Sequence, residues 1–380
     1  MKFPKLLQDK LETRKLSNAL RSIQPQTKLI DFASNDYLGF SKNEAIFKNV
    51  HHYLMTKRLT HNGATGSRLL SGNHEVYFEA ESYIANFHQS EAALIYNSGY
   101  DANVGFFSAV PQRNDIILYD EFSHASIRDG IQMSLSKAYK FKHNDLVDLE
   151  KLLQRFSTTN TEIYIVTESV FSMDGDSPEM EKLVAICQQY DALLVVDEAH
   201  ALGVFGNEHK SKGEGLVQQY QLQDKVFARI ITFGKALGCH GAAILGNHSL
   251  KEYLINFSRS LIYTTALSPH AVATILLAYK ELAKSEKRIQ KLVENSIFFN
   301  SIVSPKHCMT QFQSSIKSIV IPGNEKVKQI ATYLQDKGFD VKPILSPTVP
   351  IGQERLRFCL HTYNSKKEIQ QVVSLLLLKL

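Results

Sequence analysis

Short apolar runs alternate with longer stretches of helical periodicity between about residues 75 and 232. Ala92–Tyr96, Asp115–Tyr119, Ile163–Thr167, Ala192–Val196 and Val226–Thr232 each hold only five to seven residues, too few for a buried helix, and they predict strands. Their apolar positions run on instead of alternating, as in strands covered on both faces. Helical patterns over 75–89 and 101–110 lie between them, so the repeat predicts an α/β fold with a large, mostly parallel sheet. After Pro269 the pattern turns to long helices to about 302. Strands near 316–321 and 355–360 and a closing helix near 365–379 then predict a smaller α+β C-terminal domain. Ahead of the sheet, residues 5–22 space apolar and charged side chains as an amphipathic helical arm. A polar connector, Gln24 to Lys28, and a short strand into Asp31–Gly39 follow. The expected divisions are an arm and strand over 1–40, a large domain over 41–275 and a small domain over 276–380.

Composition narrows the class without choosing a chemistry. The chain has 380 residues, 44% hydrophobic and 21% charged, an ordinary globular balance. A net charge of +5 without basic clusters interleaved with aromatics argues against a nucleic-acid partner. No apolar run has membrane-spanning length, and the charged N-terminal pattern lacks a signal-peptide core, so a cytoplasmic location is expected. Cys187, Cys239, Cys308 and Cys359 have no metal or redox spacing and read as reduced packing residues. No metal set emerges, because His51 and His52 are adjacent without a third ligand frame, and no Gly-x-Ser-x-Gly elbow is present.

The chemistry-bearing residues gather at predicted strand ends, where open α/β sheets bind ligands. Lys235 lies in Thr232-Phe233-Gly234-Lys235-Ala236-Leu237-Gly238, among small residues that allow a carbonyl to approach its amine. Asp197 ends the run Leu193–Val196 and is followed by Glu198-Ala199-His200. A Schiff-base lysine with an aspartate that keeps a pyridine ring protonated suggests a pyridoxal phosphate (PLP) enzyme. Asp197 also reads as a helix N-cap. Ser98-Gly99-Tyr100 precedes a helix, so its backbone N–H groups and the helix dipole suit a phosphate, or else it is an ordinary strand-to-helix turn. His200 can reach a phenolic oxygen and His124 can stack on a ring, although a loop histidine is also a common surface residue. Glu168, Ser172 and Asp174 fall in a polar segment that either forms a site loop or caps a helix near Pro178.

Six ordered motifs carry a resemblance over nearly the whole chain: Ser34–Gly39, Thr65-Gly66-Ser67-Arg68, Ser123-His124-Ala125-Ser126, Val170–Asp176, Asp197–His200 and Thr232–Lys235, with Leu356-Arg357-Phe358 beyond them. With them the chain resembles the α-oxoamine synthases, enzymes of the aspartate aminotransferase-like fold type I group of PLP transferases. The resemblance implies that Lys235 carries the cofactor and acts as acid and base at the substrate's α-carbon. It implies that Asp197 pairs with the ring nitrogen, His200 with the phenolic oxygen, and that His124 stacks on the ring. Ser98, Gly99, Tyr100 and Thr232 would surround the phosphate, with Thr264 or Thr265 of a second subunit. Glu168 and Ser172 would join the cofactor site and Asn35 would line it. Arg357 would bind the amino-acid carboxylate, with Arg355 turned to the opposite face of its strand, and Arg21 and Thr348 would contact the acyl chain.

The implied activity is decarboxylative condensation of an amino acid with an acyl thioester by a homodimer. The compact length, Ala19-Leu20-Arg21, Gly241-Ala242-Ala243 and Pro347-Thr348-Val349-Pro350 liken the chain to members that join L-alanine to pimeloyl-CoA or a pimeloyl carrier protein. Cys239-His240 and Asn73-His74 depart from the common pattern around the acyl pocket. Glycine with acetyl-CoA, and serine with palmitoyl-CoA, are the alternatives inside the family. A non-catalytic partner subunit is the alternative outside it, and Lys235, Asp197 and His200 weigh against that reading.

Overall fold

The uninterrupted apolar runs become strands buried on both faces. The computed structural model describes residues 3–23, 25, 28–156, 161–206, 212–306, 308 and 310–380. Of the polar connector, Gln24, Gln26 and Thr27 lie outside the described residues. The chain forms two compact units: residues 35–172 with 177–291, and residues 1–34 with 173–176 and 292–380. The hydropathy pattern divides the chain instead at 40/41 and 275/276.

In chain order the helices are α1 (Lys5–Leu16), α2 (Glu44–Thr56), α3 (Glu75–Phe87), α4 (Gly99–Ala109), α5 (Ala125–Met133), α6 (Leu146–Phe156), α7 (Met180–Gln189), α8 (Leu216–Gln219), α9 (His248–Phe257), α10 (Arg259–Ile262), α11 (Pro269–Leu282), α12 (Glu286–Ile302), α13 (Asn324–Asp336) and α14 (Lys366–Leu377). The strands are β1 (Ile30–Asp31), β2 (Ala92–Tyr96), β3 (Ile116–Asp120), β4 (Lys137–Phe141), β5 (Ile163–Glu168), β6 (Leu193–Asp197), β7 (Ala228–Thr232), β8 (Ala242–Gly246), β9 (Ile316–Val320), β10 (Phe339–Asp340), β11 (Lys342–Ile344) and β12 (Arg355–Cys359).

The larger unit is built on a seven-stranded sheet of order β2-β8-β7-β6-β5-β3-β4. Neighbours from β7 to β4 run parallel, while β8 is antiparallel to both β2 and β7. Because β2 and β7 flank β8 and both oppose it, β2 points the same way as the parallel strands. The strands therefore deliver Tyr96, Asp120, Glu168, Asp197 and Thr232 to one edge of the sheet. The alternation of the strands divides the core into two layers. Leu94, Ile117, Val166, Val195, Ile230 and Ile244 pack on one face with Phe106, Phe107, Ile127 and Leu254 of the helices. Ile116, Leu118, Ile165, Leu194 and Val196 pack on the other with Leu149, Leu153, Leu183 and Val184. Each such side chain contributes about 1.5–3 kcal/mol on burial.

In the larger unit two strands escape the hydropathy pattern. In β4, Lys-Ala-Tyr-Lys-Phe, only Phe141 is buried, as expected of a sheet edge. In β8, Ala-Ala-Ile-Leu-Gly is buried over four positions but follows Gly241, whose φ of 119° makes the turn out of the Lys235 loop.

In the smaller unit β1 pairs in parallel with β10, and β11-β12-β9 form an antiparallel sheet. Ser365 caps α14 in a reciprocal capping box with Glu368, and Ile369, Val372, Val373 and Leu376 of α14 are buried. The expected N-terminal helix over 5–22 is shorter. It stops at Leu16, Asn18 takes a left-handed φ of 55°, and no residue of α1 is buried, so its apolar stripe covers no core within the chain. Among the described residues no helix is long and apolar enough to cross a membrane.

Candidate active site

The parallel strands end in the residues that carry charge. Glu168 and Asp197 are register partners at the ends of β5 and β6, and both are buried. Asp197 does not cap a helix. Its Oδ1 accepts from the Ala199 amide at 2.9 Å in the turn that follows, and its Oδ2 accepts from Asn103 Nδ2 at 2.9 Å. These donors are neutral, and no cationic side chain among the described residues forms an ion pair with this carboxylate. A buried carboxylate held this way suits a cationic ring nitrogen.

Three residues beyond Asp197, His200 places Nε2 2.6 Å from Lys235 Nζ, in the loop between β7 and β8. The loop is folded on itself, with the Cys239 amide donating to Phe233 O and the Phe233 amide to Gly241 O. Gly238 adopts a φ of 58°, and a β-carbon there would lie 2.2 Å from the Ser41 amide nitrogen. Tyr37, fully buried, places its hydroxyl 2.7 Å from His200 Nδ1 and donates to Asn35 Oδ1 at 3.2 Å.

A second string of contacts reaches Asp197 from the other side. Asn103 of α4 donates to Ser126 Oγ as well as to Asp197, and Ser126 Oγ lies 2.8 Å from His124 Nδ1. His124 is the N-cap of α5, and its own amide donates to Glu168 Oε1 at 2.7 Å. Burial lowers the proton affinity of His124 below the ordinary histidine range, against the pull of Asp197 and with help from Lys235. A neutral, flat imidazole results. Glu168 moves the opposite way: burial first, then the Asp197 charge, push its pKa up to about 8. The polar segment after β5 does not cap α7, whose N-cap Glu179 makes no side-chain cap bond.

The phosphate-type residues converge on the start of α4. Ser98 is its N-cap, accepting from the Asp101 amide and donating to the Asp101 carboxylate, so its hydroxyl is committed to the helix. Gly99 opens the helix against Thr232. A β-carbon on Gly99 would lie 2.5 Å from Thr232 Cγ2. The hydroxyl of Thr232 is buried and has no hydrogen-bond partner among the described residues. An orphaned hydroxyl beside the first turn of an eleven-residue helix fits a phosphate group. Tyr100 is half exposed and its hydroxyl donates to Asp129, so its side chain is engaged elsewhere than its amide. Thr264 Oγ1 and Thr265 O both accept from Asn97 Nδ2 of the same chain, at 3.1 and 2.8 Å, one residue before Ser98. Ser172 is buried. With Lys235 as a carbonyl-reactive amine and Asp197 as an unclaimed buried anion, this set fits PLP.

In the smaller unit Arg21 donates to Thr348 Oγ1 at 3.1 Å, so two residues 327 positions apart meet. Arg355 and Arg357 are two residues apart on β12 and therefore share one face of the strand, so the expectation that Arg355 turns to the opposite face fails on the period-2 geometry of a strand. Arg355 is buried in an ion pair with Asp174, and Arg357 is less enclosed and donates to Cys359 Sγ at 3.2 Å.

Tyr37 and Asn103 were not singled out from the sequence. Tyr37 lies inside the Ser34–Gly39 motif, but Asn103 sits in a helix with no local signal for a role.

Glu168 gives a pH prediction for the cofactor-free protein. Its folded pKa of about 8 lies above the ordinary 4.5, so between those values the folded chain holds a proton that the unfolded chain releases. The associated stability is complete below about pH 4.5 and is lost as pH rises through about 8. The melting temperature should therefore fall from about pH 5.5 to about pH 8.5, and fall less in Glu168→Gln. Parallel curves for the two proteins would refute the assignment.

Known proteins place the chain. The family model described as aminotransferase class I and II matches residues 27–376. The 8-amino-7-oxononanoate synthase of Emericella nidulans is 39% identical over 388 residues, which cover 95% of this chain and 90% of that protein. The structure of an 8-amino-7-oxononanoate synthase from Francisella tularensis superposes with a TM-score of 0.78 at 28% identity, covering 92% of this chain and 97% of that one. A serine palmitoyltransferase structure containing PLP superposes with a TM-score of 0.89 at 25% identity, covering 99% of this chain and 96% of the other.

Proposed function

We propose a substrate pair for this chain, which belongs to the class I and II aminotransferase family, in its α-oxoamine synthase branch, and is a PLP-dependent acyltransferase. The reaction is the decarboxylative condensation of L-alanine with pimeloyl-CoA, or with pimeloyl on a carrier protein. It yields 8-amino-7-oxononanoate, carbon dioxide and the free thiol, a step of biotin biosynthesis. The observation that carries this choice is the 39% identity, over nearly the whole chain, to a synthase of that name. The serine palmitoyltransferase fits more closely in shape but shares only 25% of residues. Backbone superposition reports the common fold, while pocket side chains decide between acyl chains.

PLP supplies the electron sink that stabilises negative charge on the α-carbon of the amino acid. The protein orients and protonates. Lys235 would hold PLP through its amine and would be the residue that takes the α-proton of alanine and later returns one. Asp197, steadied by Asn103 and the Ala199 amide, would keep the ring nitrogen protonated. His124, held by Ser126 and through its amide by Glu168, would lie neutral against the ring. Ser98, Gly99, Tyr100 and Thr232 receive the phosphate at the start of α4, the serine through its capping role. We assign Thr264 or Thr265 of a second subunit to the same phosphate, which makes the working form a homodimer. His200 would donate to the phenolic oxygen, and Ser172 and Asn35 would border the cofactor. Arg357 binds the alanine carboxylate as a planar fork, and Arg21 with Thr348 contacts the acyl chain.

The purified enzyme, assayed with alanine, glycine and serine against pimeloyl-, acetyl- and palmitoyl-CoA, should prefer alanine with pimeloyl-CoA. The kcat/KM advantage over each alternative pair is expected to exceed about tenfold, the discrimination a few methylenes can supply. Higher kcat/KM for serine with palmitoyl-CoA, or for glycine with acetyl-CoA, would replace this reading with that one.

A further inference from the structure

The Thr65-Gly66-Ser67-Arg68 motif has no part in the chemistry proposed above, and its arginine packs between two side chains that hold the surroundings of the phosphate site. These are Tyr77 and Glu81, four residues apart on α3 and so on one face of that helix. The Arg68 guanidinium lies 3.9 Å over the centroid of the Tyr77 ring, and its Nη1 donates to the buried Glu81 carboxylate. Each of the two side chains grips a different backbone segment. Glu81 Oε1 accepts from the Ile95 amide at 2.9 Å, in β2 and two residues before Asn97. The Tyr77 hydroxyl accepts from the Leu267 amide at 2.8 Å, two residues after Thr265. The backbone of the motif adds a third tie, because Gly66 O accepts from the Ala266 amide at 3.0 Å. Asn97 Nδ2 joins the two segments, donating to Thr264 Oγ1 and to Thr265 O. Thr264 and Thr265 are thus set against the turn that opens α4 by way of Arg68.

We propose that Arg68 is a positioning residue for the cofactor phosphate: by fixing Tyr77 and Glu81 it fixes segment 264–267, and through that segment the threonines that receive the phosphate. The inference rests on the assignment of Thr264 or Thr265 to that phosphate. In the homodimer the Arg68 of one protomer then acts on the cofactor of its partner. An arginine suits this place better than a lysine. Its planar guanidinium stacks on a ring and pairs with a carboxylate at once, whereas an ammonium is a point charge that serves the carboxylate alone. A purely structural role would weaken the fold and every ligand alike, while a role in seating the phosphate weakens only ligands that carry one.

The test compares the dissociation constants of the cofactor-free protein for PLP and for pyridoxal, which has the same ring and aldehyde without the phosphate. Arg68→Lys keeps a cation for Glu81, whose Oε2 is also paired by Lys251 at 2.8 Å, and removes the flat stack on Tyr77. Tyr77→Phe keeps the ring beneath Arg68 and removes only the oxygen that receives the Leu267 amide. Each change should weaken PLP about tenfold, the scale of one lost hydrogen bond, and pyridoxal less than about twofold. Equal weakening of both ligands, or undiminished PLP binding, in one of these variants overturns the proposal. Should Arg68→Lys not fold, Tyr77→Phe decides, because it cuts the same chain of contacts one step nearer the threonines. A Thr264→Val/Thr265→Val variant separates the two levels of failure. An unchanged ratio of PLP to pyridoxal affinity there defeats the phosphate assignment. A selective loss of PLP there, with none in Arg68→Lys or Tyr77→Phe, defeats only the role of Arg68.

Discussion

Lys235→Ala is expected to lower kcat/KM by on the order of 10⁴, because one residue supplies both the covalent attachment and the proton transfers at the α-carbon. The variant should still fold. Lys235 sits in a loop whose turns are made by backbone hydrogen bonds of Phe233, Cys239 and Gly241 and by the left-handed Gly238, none of which involves its side chain. It should bind PLP without a borohydride-stable link, so dialysis would remove the chromophore that the native enzyme retains. The measurement pairs steady-state turnover with reduction and peptide mapping. Activity within about tenfold of native, or a stable label elsewhere in the variant, would move the catalytic lysine to another position.

The sheet was legible because strands buried on both faces leave a continuous apolar trace: β2, β3, β5, β6 and β7 each stand within a residue or two of their predicted bounds. β4 was not, since an edge strand with lysines at 137 and 140 has no such trace. The amphipathic arm failed for a related reason. Apolar spacing at Leu6, Leu7, Leu11 and Leu16 marks a helix, but burial depends on what covers it, and nothing among the described residues does. Site residues were legible where strand direction delivers them to one edge, as with Glu168, Asp197 and Thr232. Tyr37 and Asn103 were hidden because their importance lies in contacts with residues 163 and 94 positions away. A single sequence shows composition along the chain, and long-range partners appear only once it is folded. Ser98 shows the converse: its hydroxyl, expected near a phosphate, is already occupied as the cap of α4.

Asp197→Asn should reduce kcat by about 10²–10³ while leaving the cofactor attached to Lys235, since it removes a fixed charge and keeps the shape of the side chain. The effect is electrostatic and passes through the neighbours. Asp197 accepts from both the Ala199 amide and Asn103 Nδ2. An asparagine at 197 keeps one oxygen for the Ala199 amide and turns its NH2 to Asn103, whose side-chain amide can flip to accept, so α4 should stay in place. Glu168 is the register partner across β5 and β6, and the Asp197 charge is the second cause, after burial, of its pKa of about 8. Without that charge the Glu168 carboxyl ionises at lower pH and brings a negative charge back to the same edge of the sheet. The residual activity of Asp197→Asn should therefore depend on Glu168. Adding Glu168→Gln should cost more in this background than in the native enzyme, a departure from additivity expected of groups that share one charge. Turnover of Asp197→Asn within about threefold of native would refute the electrostatic role. Strict additivity in the double variant would limit Glu168 to holding the His124 amide.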